Sequence, residues 1–329
     1  MKMTDVTHKR LLLVDGMNNF LRCYVVNPSL DLNGNHVGGV VGFLNALKNI
    51  MIQTKPDEVI IAWEGANGSR KRKEIYKGYK AGRKPPRLNR EYEISPEDEA
   101  ENKLQQIIKL TELLELLPVH QLSLEDVEAD DVIAWASKQQ KYSDWQKVIV
   151  SNDKDFLQLC DDTTIVFRPT QKQIYTSKKV LDDFSIHPCN FAIAKAIAGD
   201  KSDNIIGADR VGMATVARRI PFLSEDKDYT LQHVFDYCEE QAAKPKCPKA
   251  YLSILEHRDI ISMNYDIVQL YEPLISLQGK SRLMEAVSQG EPGLQKNAFR
   301  LMIKKEGFTS VATDSLFENC MKIVVNKKQ

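Results

Sequence analysis

Short apolar runs alternate with longer helix-compatible stretches through the first half of this chain, and most of those runs end on a carboxylate. LLLV occupies 11–14, a helical pattern 37–53, VIIAW 59–63, helical patterns 97–117 and 129–140, and VIV 148–150. TIVFRP, followed by QKQIYTS, reads as a further strand with a hairpin partner. Strands separated by helix-length segments must reach their neighbours by crossover connections. The expected fold is therefore α/β, with a mostly parallel central sheet flanked by helices.

Beyond about residue 177 the strand signal fades. Helix-compatible stretches follow at 189–199, 213–220, 229–242 and 249–263. With 329 residues there is material for a large domain and a smaller one. The sequence divides into an α/β domain over 1–177, a mainly helical domain over 178–265 and an extension, 266–329, whose packing it does not assign.

In an open parallel sheet, ligands bind beyond the carboxyl ends of the strands. Asp15 follows the first run, Glu64 the second, and Asp153 and Asp155 follow KVIVS. Glu125, Asp126, Glu128, Asp130 and Asp131 cluster at a helix start, where Glu128 and Asp131 can share a face. Each acid has a plainer role when read alone: Asp15, Asp153 and Asp155 can cap helices, and helix N-termini favour acids. Asp200 and Asp203, in GDKSDN, sit among ordinary turn formers. Taken together, so many carboxylates at one edge would repel unless cations neutralised them. Ligands that are all oxygen suit Mg²⁺ or Mn²⁺ rather than zinc. Two such ions about 4 Å apart can activate a water and stabilise the leaving oxygen of a phosphodiester.

The formal net charge is zero, which alone argues weakly against a nucleic-acid partner. Its distribution argues the other way, because from Arg70 to Arg90 ten basic residues face the single acid Glu74. The hydrophobic fraction, 43%, is ordinary, and no apolar run approaches the roughly 20 residues of a membrane helix. The N-terminal apolar run is too short for a signal peptide. Six cysteines without a C-x-x-C pair read as reduced structural thiols. A cytoplasmic monomer with no membrane partner is expected.

The motifs LLLVDGMNNFLR (11–22), YKGYKAGR (76–83), VEADDVIA (127–134), SNDKDFLQL (151–159) and GDKSDNIIG (199–207) resemble, in order, those of the bacteriophage and bacterial 5′-nucleases. This flap endonuclease family includes the phage ribonuclease H type and the 5′-nuclease domain of DNA polymerase I. The resemblance covers about Leu11 to Ile220. It implies a metal-dependent enzyme acting at 5′ ends and 5′ flaps of DNA and on RNA–DNA hybrids, removing primers and flaps during replication beside a polymerase and a single-strand-binding protein. It implies that Asp15, Glu64, Glu128 and Asp130 serve a first Mg²⁺, and Asp153, Asp155 and Asp203 a second, with Asp131 and Asp200 supporting through water. Lys80, Arg83, Arg72 and Arg22 would approach the scissile phosphate. Residues 69–99 would form an arch for a single strand, where Lys77, Tyr79 and Lys84 meet DNA, though Tyr76, Tyr79 and Tyr92 can either stack on unpaired bases or pack against the arch helices. Residues 189–220 would form a helix, three-turn, helix element that grips duplex backbone through Lys201, Gly207, Gly212, Arg218 and Arg219, with K⁺ at its loop.

Three departures stand out. Glu64 replaces a common Asp, and the family's Gly-Ile-Gly-x-Lys hairpin reads Arg210-Val211-Gly212-Met213-Ala214, which puts its backbone shape and its K⁺ in question. The chain also leaves no room for a polymerase domain, as in the free-standing phage type. A PIN-type ribonuclease would share the acidic edge but not the basic segment, and a non-catalytic DNA-binding protein would not need the acids.

Overall fold

The computed structural model describes residues 9–83, 88, 95–290 and 293–326. The first half contains β1 (Arg10–Asp15), α1 (Gly16–Val26), α2 (Gly38–Thr54), β2 (Glu58–Ala62), α3 (Arg70–Ile75), α4 (Pro96–Leu114), β3 (His120–Leu122), α5 (Ala129–Ser137) and β4 (Gln146–Val150). Next come β5 (Thr164–Arg168) and β6 (Gln173–Tyr175). The sheet order is β3-β2-β1-β4-β5-β6. The first five strands run parallel and β6 returns antiparallel to β5, the expected hairpin.

β1 lies at the centre with both faces covered, which explains its unbroken apolar run. Leu11 and Leu13 enter one hydrophobic cluster, while Leu12 and Val14 enter the other. α4 starts where its sequence dictates: the Ser95 hydroxyl accepts from the Asp98 amide, Pro96 supplies a preset φ, and three acids face the N-terminal dipole.

The second half contains α6 (Ser177–Phe184), α7 (Phe191–Ala198), the short hairpin β7 (Gly199–Asp200) and β8 (Ile205–Ile206), α8 (Met213–Arg219), α9 (Leu231–Ala242), α10 (Lys249–Glu256) and α11 (Arg258–Val268). The stretch expected as one helix over 249–263 is two. His257 leaves the helical region at φ −105°, ψ 20°, and its ring Nδ1 lies 2.8 Å from the Ser253 carbonyl that also accepts its backbone N–H.

The tail forms α12 (Leu277–Ser288), α13 (Lys296–Lys305) and α14 (Thr313–Asn326) and is split between the two faces of the sheet. Leu283 and Val287 of α12 join the cluster shared by α5, α7 and α11. Phe299, Leu316, Phe317 and Ile323 join the opposite cluster, against α2 and α4. No helix among the described residues is long and apolar enough to cross a membrane.

Candidate active site

Parallel strands deliver the expected acids to one edge. Asp15 ends β1 and caps α1 by accepting the Asn18 amide at 3.0 Å. Gly16 then lets α1 begin hard against β2, since a Cβ there would stand 2.6 Å from the Trp63 ring and 2.8 Å from the Ala62 carbonyl. Glu64 follows β2, Glu128 caps α5 with Asp130 in its first turn, and Asp153 follows β4. Asp15, Glu64, Glu128, Asp130 and Asp153 line one cavity of about 500 Å³, together with Lys80 and Arg83. Asp153 also lines an adjoining cleft with Asp200 and Lys201.

These acids are held in an electrostatically costly state. Burial, with smaller contributions from Asp153 and Glu64, raises the Asp15 carboxyl to about 6 against the opposing Asn18 amide and Ser151 hydroxyl bonds. Asp130 is pushed well above the ordinary carboxylate range by burial and then by Asp153, Asp15 and Glu128. Asp203 is raised by burial, with Lys80 opposing. Clustered oxygen donors that repel one another fit hard divalent cations, which relieve the repulsion and prefer such ligands.

Other expected metal residues are already neutralised by the protein. Asp131 is 1% exposed; its Oδ2 accepts from Arg72 at 2.5 Å and its Oδ1 from the Leu274 amide at 2.8 Å. Arg72 is 3% exposed and also donates to the Ile267 carbonyl and faces Glu128 at 3.4 Å. Neither Arg72 nor Asp131 lines the cavity: the guanidinium is engaged with Asp131, Glu128 and the Ile267 carbonyl, and each Asp131 oxygen already accepts one hydrogen bond. Buried this deeply, each charge depends on the other and on the flanking backbone hydrogen bonds to offset its desolvation. Tyr79 is likewise 4% exposed, donating to Glu128 at 3.1 Å, so it packs below the site instead of presenting a ring to DNA.

Asp155 and Asp200 share the ammonium of Lys195, which pairs with Asp155 and lies 2.8 Å from Asp200. Asp200 is drawn down to about 2 because Lys195 and the Ser202 contacts outweigh its burial. Lys195 escaped the sequence reading, although a signal exists. It is the lone cation in FAIAKAIA, a run buried through Ile197, and a buried lysine needs a buried anion.

A sequence profile described as the 5′-3′ exonuclease, N-terminal resolvase-like domain, matches residues 10–185. The chain belongs to this 5′-3′ exonuclease family. A 5′-3′ exonuclease of Aquifex aeolicus is 29% identical over 208 residues, 63% of this chain and 67% of that one. A thermostable DNA polymerase I of Thermus aquaticus is 31% identical over 210 residues, 64% of this chain but only 23% of that protein. The solved structure of bacteriophage T5 D15 flap endonuclease (D155K), a complex with DNA and metal ions, superposes with a TM-score of 0.64. It is 18% identical, covering 98% of this chain and 100% of that one, and so speaks for the fold. The T5 5′-exonuclease with bound zinc gives 0.63.

Within this exonuclease fold, Lys80 is tied to the second half of the chain. Its amide donates to the Asp203 carbonyl at 2.8 Å, at a left-handed φ of 55°, and its ammonium donates to Glu128 at 2.8 Å. Burial alone would lower that ammonium, but Glu128, Asp130 and Asp203 outweigh it and hold Lys80 above the usual lysine range. Arg83 stands 3.8 Å from Asp203. Arg22 does not line the cavity; one guanidinium nitrogen donates to Asn19 at 2.7 Å, while its buried Nε has no hydrogen-bond partner among the described residues.

Lys77, Lys201 and Arg218 are exposed, and Arg219 is half-buried. Lys84, Arg87, Arg90 and Tyr92 lie outside the described residues, and Tyr76 packs partly buried against the core. Gly207 serves close packing, because a Cβ there would lie 2.4 Å from the Ala198 carbonyl carbon. Gly212 caps α8 in open space. Arg210, which replaces the family's first hairpin glycine, keeps a left-handed φ of 59°, so the backbone turns as glycine would allow.

Proposed function

We propose that this chain hydrolyses phosphodiester bonds of DNA, and of RNA paired to DNA, at 5′ ends and at the junctions of 5′ flaps. The observation that carries this reading is the set of uncompensated carboxylates, Asp15, Glu64, Asp130 and Asp153, facing a cavity rimmed by Lys80 and Arg83. Those four, with Glu128 and Asp203 beside them, would hold divalent ions, Mg²⁺ foremost, with Mn²⁺ an alternative. Bound there as a pair, such ions would supply charge neutralisation and an activated water.

The chain's own groups do the rest. Lys80 stays protonated and fixed through Asp203 and Glu128, so it offers a preorganised cation to the charge that builds on phosphate oxygens. Arg83 offers a second cation at the same rim. Asp131, Arg72 and Tyr79 hold Glu128 and the α5 terminus in place from below. Lys201 and Arg218, exposed on the helical half, suit duplex phosphates, which fix position without reading sequence. Removal of RNA primers and flaps beside a polymerase and a single-strand-binding protein is the role that this chemistry fits.

End-labelled 5′-flap, nicked and RNA-primed duplexes, digested with Mg²⁺ or with EDTA, test the proposal. Release of the 5′ strand at the junction is expected, with none in EDTA, loss of cleavage when a bulky protein blocks the flap's 5′ end, and steep weakening of binding with salt. Normal turnover in EDTA, or nucleotides released first from the 3′ end, overturns it.

A further inference from the structure

We propose that His187, Cys189 and Asp226 form a second, structural cation site, of the class that takes Zn²⁺ or Co²⁺, remote in character from the carboxylate cavity. His187 and Cys189 flank Pro188 in the tight turn that leads into α7, and Asp226 lies on the loop between α8 and α9. One ligand atom from each lies within 4.8 Å of the other two. His187 Nδ1 is 2.9 Å from Cys189 Sγ, and His187 Nε2 is 3.5 Å from Asp226 Oδ1. Bonds of 2.0–2.3 Å in a tetrahedral site separate ligand atoms by about 3.3–3.8 Å. The two His187 distances involve different ring nitrogens and an ion takes only one, so with Nδ1 as the donor beside Sγ the Asp226 carboxylate, 90% exposed, must swing from the Nε2 side toward Nδ1, a shift on the order of 1 Å from the present limit of 4.8 Å.

The backbone carrying these ligands is already fixed. Asn190, fully buried, donates to the carbonyls of Leu223 at 3.3 Å, Glu225 at 3.2 Å and Lys227 at 3.0 Å, and accepts the Tyr229 amide at 3.2 Å. The His187 amide donates to Leu223 at 2.8 Å. Asp226 is thus held on both sides in register with the turn that bears His187 and Cys189, the preorganisation that a metal site requires.

The surroundings select against Mg²⁺ and for a borderline cation. Sulfur and imidazole donors suit zinc, whereas Mg²⁺ demands oxygen. A cavity of about 240 Å³ opens on the site and carries Asp161, Asp162 and Ser177, whose hydroxyl lies 3.1 Å from His187 Nε2. Burial, with Asp228 and Asp226, pushes the Cys189 thiol up to about 11, so the thiol keeps its proton until a cation replaces it. Binding forms the metal–sulfur bond and releases that proton to solvent. The bound ion would staple the entry of α7 to the 223–229 loop, adding stability without entering the cleavage chemistry.

Chelator-stripped protein titrated with Co²⁺ in excess Mg²⁺ tests this, because only a thiolate ligand produces the near-ultraviolet sulfur-to-cobalt charge-transfer band. One equivalent per chain is expected in the wild type and in Asp153→Asn, with Zn²⁺ erasing the band. Cys189→Ser should abolish it while circular dichroism and Mg²⁺-dependent cleavage match the wild type. Asp226→Ala, at an exposed position that folding tolerates, should weaken Co²⁺ binding by at least about tenfold, the scale of losing even an outer partner of a metal ligand. Absence of the band in the wild type, its survival in Cys189→Ser, or unchanged affinity in Asp226→Ala overturns the proposal.

Discussion

Asp130 and Asp131 stand side by side at the start of α5, yet Asp130 faces the cavity among Asp153, Asp15 and Glu128, whereas Asp131 is closed beneath it on Arg72 and the Leu274 amide. The same contrast divides the acidic set into two regions. In the cavity, Asp15, Glu64, Asp130 and Asp153 lie near one another without an ion pair among the described residues, Glu128 alone at its wall meeting Lys80 and Arg72; in the floor and flank, Asp131, Asp155 and Asp200 meet Arg72 or Lys195. Residue type does not separate the two regions. What separates them is whether the protein provides its own cation, and where it does not, an outside cation has a thermodynamic reason to bind.

The largest effect expected from breaking this contrast is in Asp153→Asn, which removes an acid shared by the cavity and the adjoining cleft. Single-turnover cleavage of a 5′-flap duplex should fall by at least about 10³, the upper end of losing one electrostatic stabiliser, while DNA binding survives. A fall below tenfold would place Asp153 outside the chemistry.

In the floor, Arg72→Met should instead lower folding stability by about 3–5 kcal/mol, because Asp131 and Glu128 would remain buried without their cation. Urea denaturation measures this, and a loss under about 1 kcal/mol would mean that water or Lys80 replaces Arg72.

The two regions should also differ in pH dependence. Folded, metal-free Asp15 and Asp130 hold protons to higher pH than in the unfolded chain, so their contribution is full below the ordinary carboxylate range and is lost as pH rises through about 6 for Asp15. In EDTA the protein should therefore melt lower at pH 8 than at pH 5, with Asp15 alone contributing on the order of 1 kcal/mol across that interval, since part of its contribution is already lost by pH 5. Mg²⁺ should restore stability at pH 8 and add little at pH 5. Asp200, held at about 2, acts oppositely, and its contribution is lost only as pH falls below the ordinary range, outside this window. A melting temperature in EDTA that rises from pH 5 to pH 8 would contradict this reading.

The smallest effect expected is in Arg210→Gly. Relief of a left-handed residue, about 1 kcal/mol, is partly offset by the added freedom of glycine in the unfolded chain, so stability should change by less than about 1 kcal/mol. A large loss in thermal melts would show that the Arg210 side chain itself holds the turn.

Much of this was legible before the structure. The unbroken apolar runs at 11–14 and 59–63 mark strands buried on both faces, and parallel pairing sends the residues after them, Asp15 and Glu64, to one edge. Those features depend on nearest neighbours and on the period of the backbone, which sequence states directly. The ion pairs do not. Arg72 reads as one more member of a basic segment, and it meets Asp131 only because α3 packs where α5 and α11 close over it. Tyr79 and Lys195 were decided in the same way, by partners 49 and 40 residues distant. The tail, too, was assigned only in three dimensions, since amphipathic helices specify that a face is buried but not against what. Local order and the sheet edge thus came from the sequence, whereas the choice of which carboxylates stay uncompensated came from long-range packing, because a charge's partner is fixed by distance in space and not along the chain.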